Sequence, residues 1–280
     1  MKHPVIFLCP SCQQPLKQNG QSYTCKHGHN FDISKEGYVN LLLSSSQHAK
    51  SHGDNRDMIR ARRDFLNLGY YSCLREKLKQ EVLSICQPFS NPVLIDAGCG
   101  EGYYTTAVYQ AIAQEKQRDK CAVYGFDMSK EALRIASKRC RQIHFAVANL
   151  FSMPLPDNCA DFIMELFAPI AEQEFYRVLK PGGILLLVIP AKEHLFQLKQ
   201  AIYDTPYYNE TKPFSLQGFS FLRKENVNNT IELSGKTVIR NLFSMTPYFY
   251  HTPAKFLKRL EELERLTTKI DFDLFFFQKK

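Results

Sequence analysis

Residues 92–102 read Pro92-Val-Leu-Ile-Asp96-Ala-Gly98-Cys-Gly100-Glu-Gly102, and this stretch decides the fold. A short apolar run ends on an acidic side chain, passes into a glycine-rich turn and is followed by a helical stretch from about Tyr103. Gly98, Gly100 and Gly102 allow a tight turn and a close approach of backbone to a ligand, while Asp96 orients the loop or meets the ligand's polar atoms. The spacing is Gly-x-Gly-x-Gly with Asp before it, not Gly-x-Gly-x-x-Gly, so a dinucleotide is disfavoured. A second apolar run, 122–126, ends in Asp127, where a carboxylate can take both hydroxyls of a ribose. The pair of features predicts a ligand with a nucleoside and no pyrophosphate.

Outward from this loop the alternation continues. Periodicity predicts a helix over 130–139, a strand over 143–147 running into Ala148-Asn149-Leu150, a strand over 161–167 and a helix over 172–179. A turn at Lys180-Pro-Gly-Gly183 and a strand over 184–189 follow. Such alternation makes a parallel sheet with helices on both faces and a ligand at the carboxyl ends of its strands. Asp96, Asp127, Asn149 and Phe167 fall at those ends. The alternating apolar run 270–277 is expected to complete the sheet edge.

Toward the N-terminus, Cys9-Pro-Ser-Cys12 and Cys25-Lys-His-Gly-His29 are separated by a hairpin-sized insert, which is tetrahedral zinc spacing. Cys9, Cys12, Cys25 and His29 are the expected ligands, with His27 as the competing fourth. Such a set has no obvious open position, so the metal is expected to be structural and to compensate for a segment too small to bury a core. The polar run 44–53 reads as a linker, and from Asp54 or Asn55 a capped helix follows. Its apolar stripe is Met58, Ile59, Phe65 and Leu66. Arg56, Arg60, Arg62 and Arg63 lie mostly on other faces, as a solvated surface or a phosphate-contacting edge. A further helix is expected over 72–86.

The chain has 280 residues with 36 Lys+Arg against 28 Asp+Glu, a formal charge of +8, and 44% apolar residues. This composition excludes fibrous and disordered classes and favours an anionic partner such as nucleic acid. The apolar run Ile184-Leu-Leu-Leu-Val-Ile-Pro190 is far short of the ~20 residues that span a bilayer, and no secretory segment is apparent. We therefore expect a cytoplasmic protein without membrane partners, whose nine cysteines form no disulfides.

Asp96-x-Gly-x-Gly-x-Gly102, the acidic end of the second strand and Leu179-Lys-Pro-Gly-Gly183 together resemble class I S-adenosylmethionine-dependent methyltransferases, over about residues 91–190. Several further segments narrow the resemblance: the Cys-Pro-x-Cys pair, Phe31-Asp-x-x-Lys-Glu-Gly-Tyr-Val-Asn-Leu-Leu42, Gly53-Asp, Met58 with Ala61-Arg-Arg63, and Gly69-Tyr-Tyr71. With these the chain resembles the bacterial 23S ribosomal RNA guanine-N1 methyltransferases. The resemblance implies a doubly wound α/β domain with a mostly parallel seven-stranded sheet. It divides the chain into a zinc-binding RNA-recognition module (1–50), a helical linker forming part of the cofactor pocket (51–90) and the methyltransferase domain (91–280). It implies S-adenosylmethionine and structural Zn2+ as cofactors. A homodimer clamping a 23S rRNA hairpin follows too, with neither DNA nor membrane as partner. Carried over by resemblance, the cofactor positions are Tyr71, Gly100, Glu101 and His194, and the zinc ligands include His29 rather than His27. Phe167-Ala168-Pro169 stands where related enzymes have Tyr-Ala-Pro, so the aromatic face survives and a hydroxyl is lost.

Guanine N1 carries a proton at neutral pH, so a base, or a donor near O6, is expected beside the aligned reactants. His194, Glu165 and Asp157 are candidates for that base, and Phe167, Phe243 and the segment Met245-Thr-Pro-Tyr248-Phe-Tyr250 for walls that stack the base. The rival readings are a small-molecule methyltransferase and a catalytically silent RNA-binding protein, since a glycine loop reports the cofactor and says little about the acceptor.

Overall fold

A computed structural model describes residues 5–43, 55–115, 121–210 and 215–280. The expected linker at 44–53, and with it Gly53 and Asp54, lies outside the described residues. Near the N-terminus, Gly20 turns the chain at φ +59° between β1 (Lys17–Asn19) and β2 (Ser22–Thr24). With β3 (Asn30–Asp32) these make a three-stranded antiparallel sheet. So small a sheet buries little, and its apolar residues lean on the main domain instead. The Phe7 ring sits edge-on to Tyr23 at 5.6 Å and to Tyr124 at 5.5 Å, and Phe7 is 1% exposed. The next strand, β4 (Val39–Asn40), leaves the ribbon altogether and pairs with the main sheet.

Asn55 caps α1 (Arg56–Asn67) through a side-chain oxygen that accepts from the Met58 N–H at 2.9 Å. The buried face of α1 carries Met58, Ile59, Ala61, Phe65 and Leu66, and α2 (Ser72–Cys86) buries Leu74, Leu78 and Val82. The alternating unit then begins with β5 (Val93–Ala97), α3 (Tyr103–Gln114), β6 (Ala122–Asp127) and α4 (Lys130–Arg139). It continues through β7 (His144–Val147), β8 (Ala160–Leu166), α5 (Glu172–Val178) and β9 (Leu179–Pro190). The C-terminal part adds α6 (Phe196–Ile202), β10 (Phe219–Ser234), α7 (Lys236–Ser244), α8 (Tyr248–His251), α9 (Ala254–Glu262) and β11 (Arg265–Lys279).

Among the described residues the main sheet runs β10-β11-β9-β8-β5-β6-β7-β4. Neighbours from β9 to β4 are parallel, and β11 alone runs against the rest, between β9 and β10. This is the seven-stranded sheet implied by the resemblance plus an eighth, two-residue strand lent by the ribbon. The C-terminal strand was expected at the edge; it is instead the second strand in, and β10 forms the edge.

The sheet separates two apolar layers. On one face Leu94, Val123, Phe162, Met164, Leu186 and Phe276 pack with residues of α1, α2, α3 and α7. On the other, Ile95, Tyr124, Phe126, Ile163, Leu185 and Leu187 pack with Phe175 and Val178 of α5 and with Phe7, Leu16, Tyr23 and Val39 of the N-terminal module. The ribbon thus covers part of a sheet face that would otherwise meet water.

Candidate functional site

The glycine loop is held open by its own backbone. Gly98 N–H and Cys99 N–H both donate to the Phe126 carbonyl at 2.9 Å, and Gly100 N–H donates to Asp127 Oδ2 at 3.0 Å. Asp127 Oδ1 accepts from Ser129 N–H at 2.7 Å, so one carboxylate ties the loop to the start of α4. Gly98 has φ +84°, and a Cβ there would lie 2.6 Å from the Ala168 Cβ, so any side chain would push away the turn after β8.

Tyr71, Asp96, Gly98, Gly100 and Glu101 line a cavity of about 820 Å³ at the carboxyl ends of the strands, together with Asp127, Asn149, Phe167 and His194. Gly102 is outside that lining. At φ +77° it caps α3, and a Cβ on it would come within 2.8 Å of the Ala136 Cβ, so its smallness serves helix packing. The Asn149 side-chain oxygen accepts from Phe151 N–H at 3.0 Å and shapes the turn at the cavity rim. Phe167 has φ +60°, a conformation costly for a residue with a Cβ, and is 44% exposed over the cavity with its ring 5.6 Å from Phe272.

The buried carboxylates differ in what holds them. Burial pushes Asp96 up to about 7, opposed by the Thr105 hydroxyl, which donates to it at 2.5 Å. Burial also raises Glu101, countered by Arg139, whose Nε lies 3.2 Å from its Oε2. Glu165 is buried beneath the Phe167-Ala168 turn, where it accepts from the Ala168 N–H, and burial pushes it up to about 8. It is not among the cavity-lining residues. Asp157 is an exposed ion-pair partner of Arg177 at 2.7 Å, also outside the lining.

Glu165 gives a pH-dependent expectation. The folded state keeps its proton up to about pH 8, whereas the ordinary value is 4.5. This advantage of the folded state is complete below 4.5 and is lost as the pH rises through about 8. Glu165→Gln keeps the acceptor for Ala168 and removes the ionisation. It should raise Tm by about 3–6 °C at about pH 9 and change it by under about 1 °C at about pH 5, read by scanning calorimetry. An equal shift at both pH values would contradict the assignment.

His194 is buried beside Tyr71. Its Nδ1 accepts from the Asp271 N–H at 3.1 Å, so the ring proton resides on Nε2, which lies 3.4 Å from the Tyr71 hydroxyl. Burial, reinforced by Lys199, lowers His194 to about 3. A neutral ring with its lone pair already engaged has none to offer an acceptor's proton, so the arrangement suits the ligand-contact role and not the base role.

Several cavity residues escaped sequence reasoning. Arg62, expected only as one of a surface stripe, lines the cavity, and a Cβ on Gly100 would lie 3.9 Å from its Nη1. Arg63 is outside the lining and pairs with Asp64 at 2.7 Å. Tyr104 also lines the cavity, and its hydroxyl is buried without a hydrogen-bond partner. Asn209 and Glu210 complete that wall with Met245 and Tyr248, which were expected as stacking walls, whereas Phe243, proposed for stacking, is 1% exposed in the core and not in the lining. Glycine spacing marks the loop alone; nothing local in sequence singles out Arg62, Tyr104, Asn209 or Glu210.

In the N-terminal module, Cys9, Cys12, Cys25 and His29 bring their ligand atoms within 4.8 Å of one another. Cys12 Sγ and Cys25 Sγ are 3.7 Å apart, and His29 Nδ1 lies 3.5 Å from Cys9 Sγ and 3.4 Å from Cys25 Sγ. These edges match a tetrahedron built on Zn–S bonds of about 2.3 Å and Zn–N bonds of about 2.0 Å. The donor set fits zinc, and His27 is outside it. Burial opposes ionisation of Cys25, yet backbone hydrogen bonds at His27 and His29 hold its thiol down at about 6, toward the thiolate a metal needs.

The strand order, the glycine loop and the acidic end of β6 define a class I S-adenosylmethionine-dependent methyltransferase, with the buried, unpaired Tyr104 hydroxyl left for a polar ligand atom. Comparisons agree on both halves. Residues 7–51 match the family profile described as "RlmA, N-terminal", a zinc ribbon, and residues 88–238 match a methyltransferase domain profile. The 23S rRNA (guanine(748)-N(1))-methyltransferase of Streptomyces fradiae is 34% identical over 72% of this chain and 69% of its own. Two relatives provisionally named 23S rRNA (guanine-N(1)-)-methyltransferases match over nearly the whole length. The one from Micromonospora griseorubida is 30% identical over 95% of each chain, and the one from Bacillus subtilis 26% identical over 96% of this chain and 95% of its own. The chain belongs to the RlmA-type 23S rRNA guanine-N1 methyltransferase family: a zinc ribbon followed by a class I methyltransferase domain.

Proposed function

We propose that this protein methylates N1 of one guanine in a hairpin of 23S rRNA, with the ribbon holding RNA and the cavity holding S-adenosylmethionine. The observation that carries the reading is the joining, in one chain, of the ribbon and the methyltransferase cavity, at 30% identity along 95% of the Micromonospora relative. When bound, S-adenosylmethionine supplies an electrophilic methyl group on a sulfonium, and the protein's task is alignment and exclusion of water.

Asp127 presents a carboxylate, already fixed by two backbone donors, to the ribose hydroxyls. His194 gives its Nε2 proton to the Tyr71 oxygen, which leaves the Tyr71 hydroxyl proton to donate into the cavity. Arg62 and the unpaired Tyr104 hydroxyl offer a cation and a donor for the carboxylate of the methionine moiety. Glu101, held by Arg139, keeps the glycine loop in place, and Phe167 offers a ring face to an extruded base.

A homodimer gripping one hairpin belongs to the same reading, supported by the excess of basic residues and by Phe221 and Leu222 exposed on edge strand β10. So does a cytoplasmic setting without DNA or membrane partners. All nine cysteines are free thiols, and among the described residues no helix is long and apolar enough to cross a membrane.

The test is incubation with methyl-labelled S-adenosylmethionine and three acceptors: unmethylated 23S rRNA, 16S rRNA and a mixture of acyl and quinol small molecules. Label should enter 23S rRNA alone. Label in the small molecules, with none in rRNA, would restore the small-molecule reading.

A further inference from the structure

Beside the cofactor cavity lies a second one, of about 530 Å³, lined from α2, α3 and the end of α4. Arg75, Glu76 and Lys79 come from α2, Tyr103 and Thr106 from the start of α3, and Arg139 is the last residue of α4. Tyr103 lines both cavities, so the two share a wall.

The charges in this groove do not cancel. Arg75 and Lys79 share one carboxylate: Lys79 Nζ lies 2.6 Å from Glu76 Oε2, and Arg75 Nη2 lies 2.9 Å from Glu76 Oε1. The hydrogen bond from Lys79, aided by that from Arg75, holds Glu76 below the usual carboxylate range, so it is ionised and offsets one of the two cations. Arg139 adds a third cation, paired with Glu101 at 3.2 Å. Arg75 and Arg139 both stand over the Tyr103 ring, their guanidinium carbons 5.4 Å and 5.8 Å from its centroid, and Arg75 Nη1 donates to the Tyr103 hydroxyl at 3.1 Å. A further observation is independent of charge. Thr106 is 8% exposed, and among the described residues its buried hydroxyl has no hydrogen-bond partner, although buried polar atoms are nearly always paired. An excess of cations beside an unused hydroxyl is the donor set for an anion with several acceptor oxygens.

We propose that this groove binds a phosphate group of the RNA backbone and so holds the substrate strand beside the cavity in which the methyl group is transferred. The inference rests on the 23S rRNA reading above. S-adenosylmethionine carries no phosphate, so the groove is not an extension of the cofactor site, and the shared Tyr103 wall sets the bound phosphate next to that site. Arg75 and Lys79 supply the charge and Thr106 a neutral donor, while Glu76, the groove's own anion, competes with the phosphate for both cations. A contact of this kind positions the RNA and carries no sequence information.

The test measures affinity of the full, zinc-loaded chain for unmethylated 23S rRNA by filter binding from about 50 to about 400 mM KCl, for wild type, Lys79→Ala, Glu76→Gln and Thr106→Val. Lys79→Ala should bind about 5- to 10-fold more weakly near 0.1 M salt, and its slope of log affinity against log salt should shrink by about 1. Glu76→Gln should bind about 3- to 10-fold more tightly, a gain that a merely structural role for Glu76 would not give. Thr106→Val removes a neutral donor, so it should weaken binding with the slope unchanged and with Tm in the absence of RNA no lower than that of wild type. Equal slopes for wild type and Lys79→Ala, or weaker binding by Glu76→Gln, overturn the proposal while RNA methylation by wild type stands. Inorganic phosphate is titrated by calorimetry as a separate arm: binding that depends on Lys79, with RNA slopes equal in all four proteins, assigns the groove to a free ion and also overturns it. If wild type neither binds 23S rRNA nor methylates it, the functional reading fails and the groove's role falls with it.

Discussion

Replacing Cys12 with Ser, or stripping the metal with a chelator, should lower 23S rRNA methylation by more than about 100-fold while cofactor affinity falls by no more than about tenfold. Structural zinc in isolated finger peptides contributes about 10–16 kcal/mol, which a ribbon of three-residue strands cannot replace from its own packing. Loss of the metal frees Phe7, Leu16 and Tyr23 from the sheet face they cover and releases β4 from β7. Exposing a buried aromatic of this kind costs about 3–5 kcal/mol by analogy with Phe→Ala changes, so thermal stability should fall as well. The cofactor wall is less affected, because none of the residues that line the cavity belongs to the ribbon. Zinc content by mass spectrometry, Tm, cofactor affinity and rRNA methylation together check this. Full methylation by a zinc-free protein would contradict it.

Asp127→Ala should weaken S-adenosylmethionine binding by about 100- to 1,000-fold, with a much smaller effect on turnover at saturating cofactor. The substitution removes the acceptor for Gly100 N–H and Ser129 N–H, so the loop loses its tie to α4 before any ligand arrives. It also removes the acceptor for the ribose hydroxyls, and hydrogen bonds to a charged group are worth about 1.5–3 kcal/mol each. Asp127→Asn retains one acceptor oxygen and should fall between the two. Titration calorimetry reads the affinity and steady-state kinetics separate KM from kcat; an affinity within about threefold of wild type would place the ribose elsewhere.

The parts of this molecule that were legible in sequence are those whose chemistry is local. Gly98, Gly100 and Asp127 must stand at fixed offsets from a strand end for the loop to form, and Cys9, Cys12, Cys25 and His29 must come in two close pairs to close a metal ring. What was hidden depends on contacts distant in the chain. β10 reads Phe-Ser-Phe-Leu-Arg-Lys-Glu-Asn-Val-Asn-Asn-Thr-Ile-Glu-Leu-Ser, too polar to announce a strand, because an edge strand with charged side chains discourages further pairing. β11 therefore looked like an edge although it is flanked on both sides. The pairing of Val39–Asn40 with β7 joins residues more than a hundred positions apart, and no local pattern foretells it. His194 shows the same limit at the site. Its presence near a strand end was readable, but the Asp271 N–H that engages its Nδ1 comes from β11, and that bond occupies the ring's lone pair. Arg62 reads as one arginine among four on α1, and only packing singles it out over the glycine loop.

The measurement that tests the central claim most directly is position mapping of the methyl group in 23S rRNA after reaction with the purified protein, by mass spectrometry of nuclease fragments and by reverse-transcription stops. A methyl on N1 blocks Watson–Crick pairing, so the account predicts one strong stop at a single guanine within one hairpin, and a fragment there heavier by one methyl group. A methyl on another base or another atom of guanine, or label spread over many positions, would contradict it.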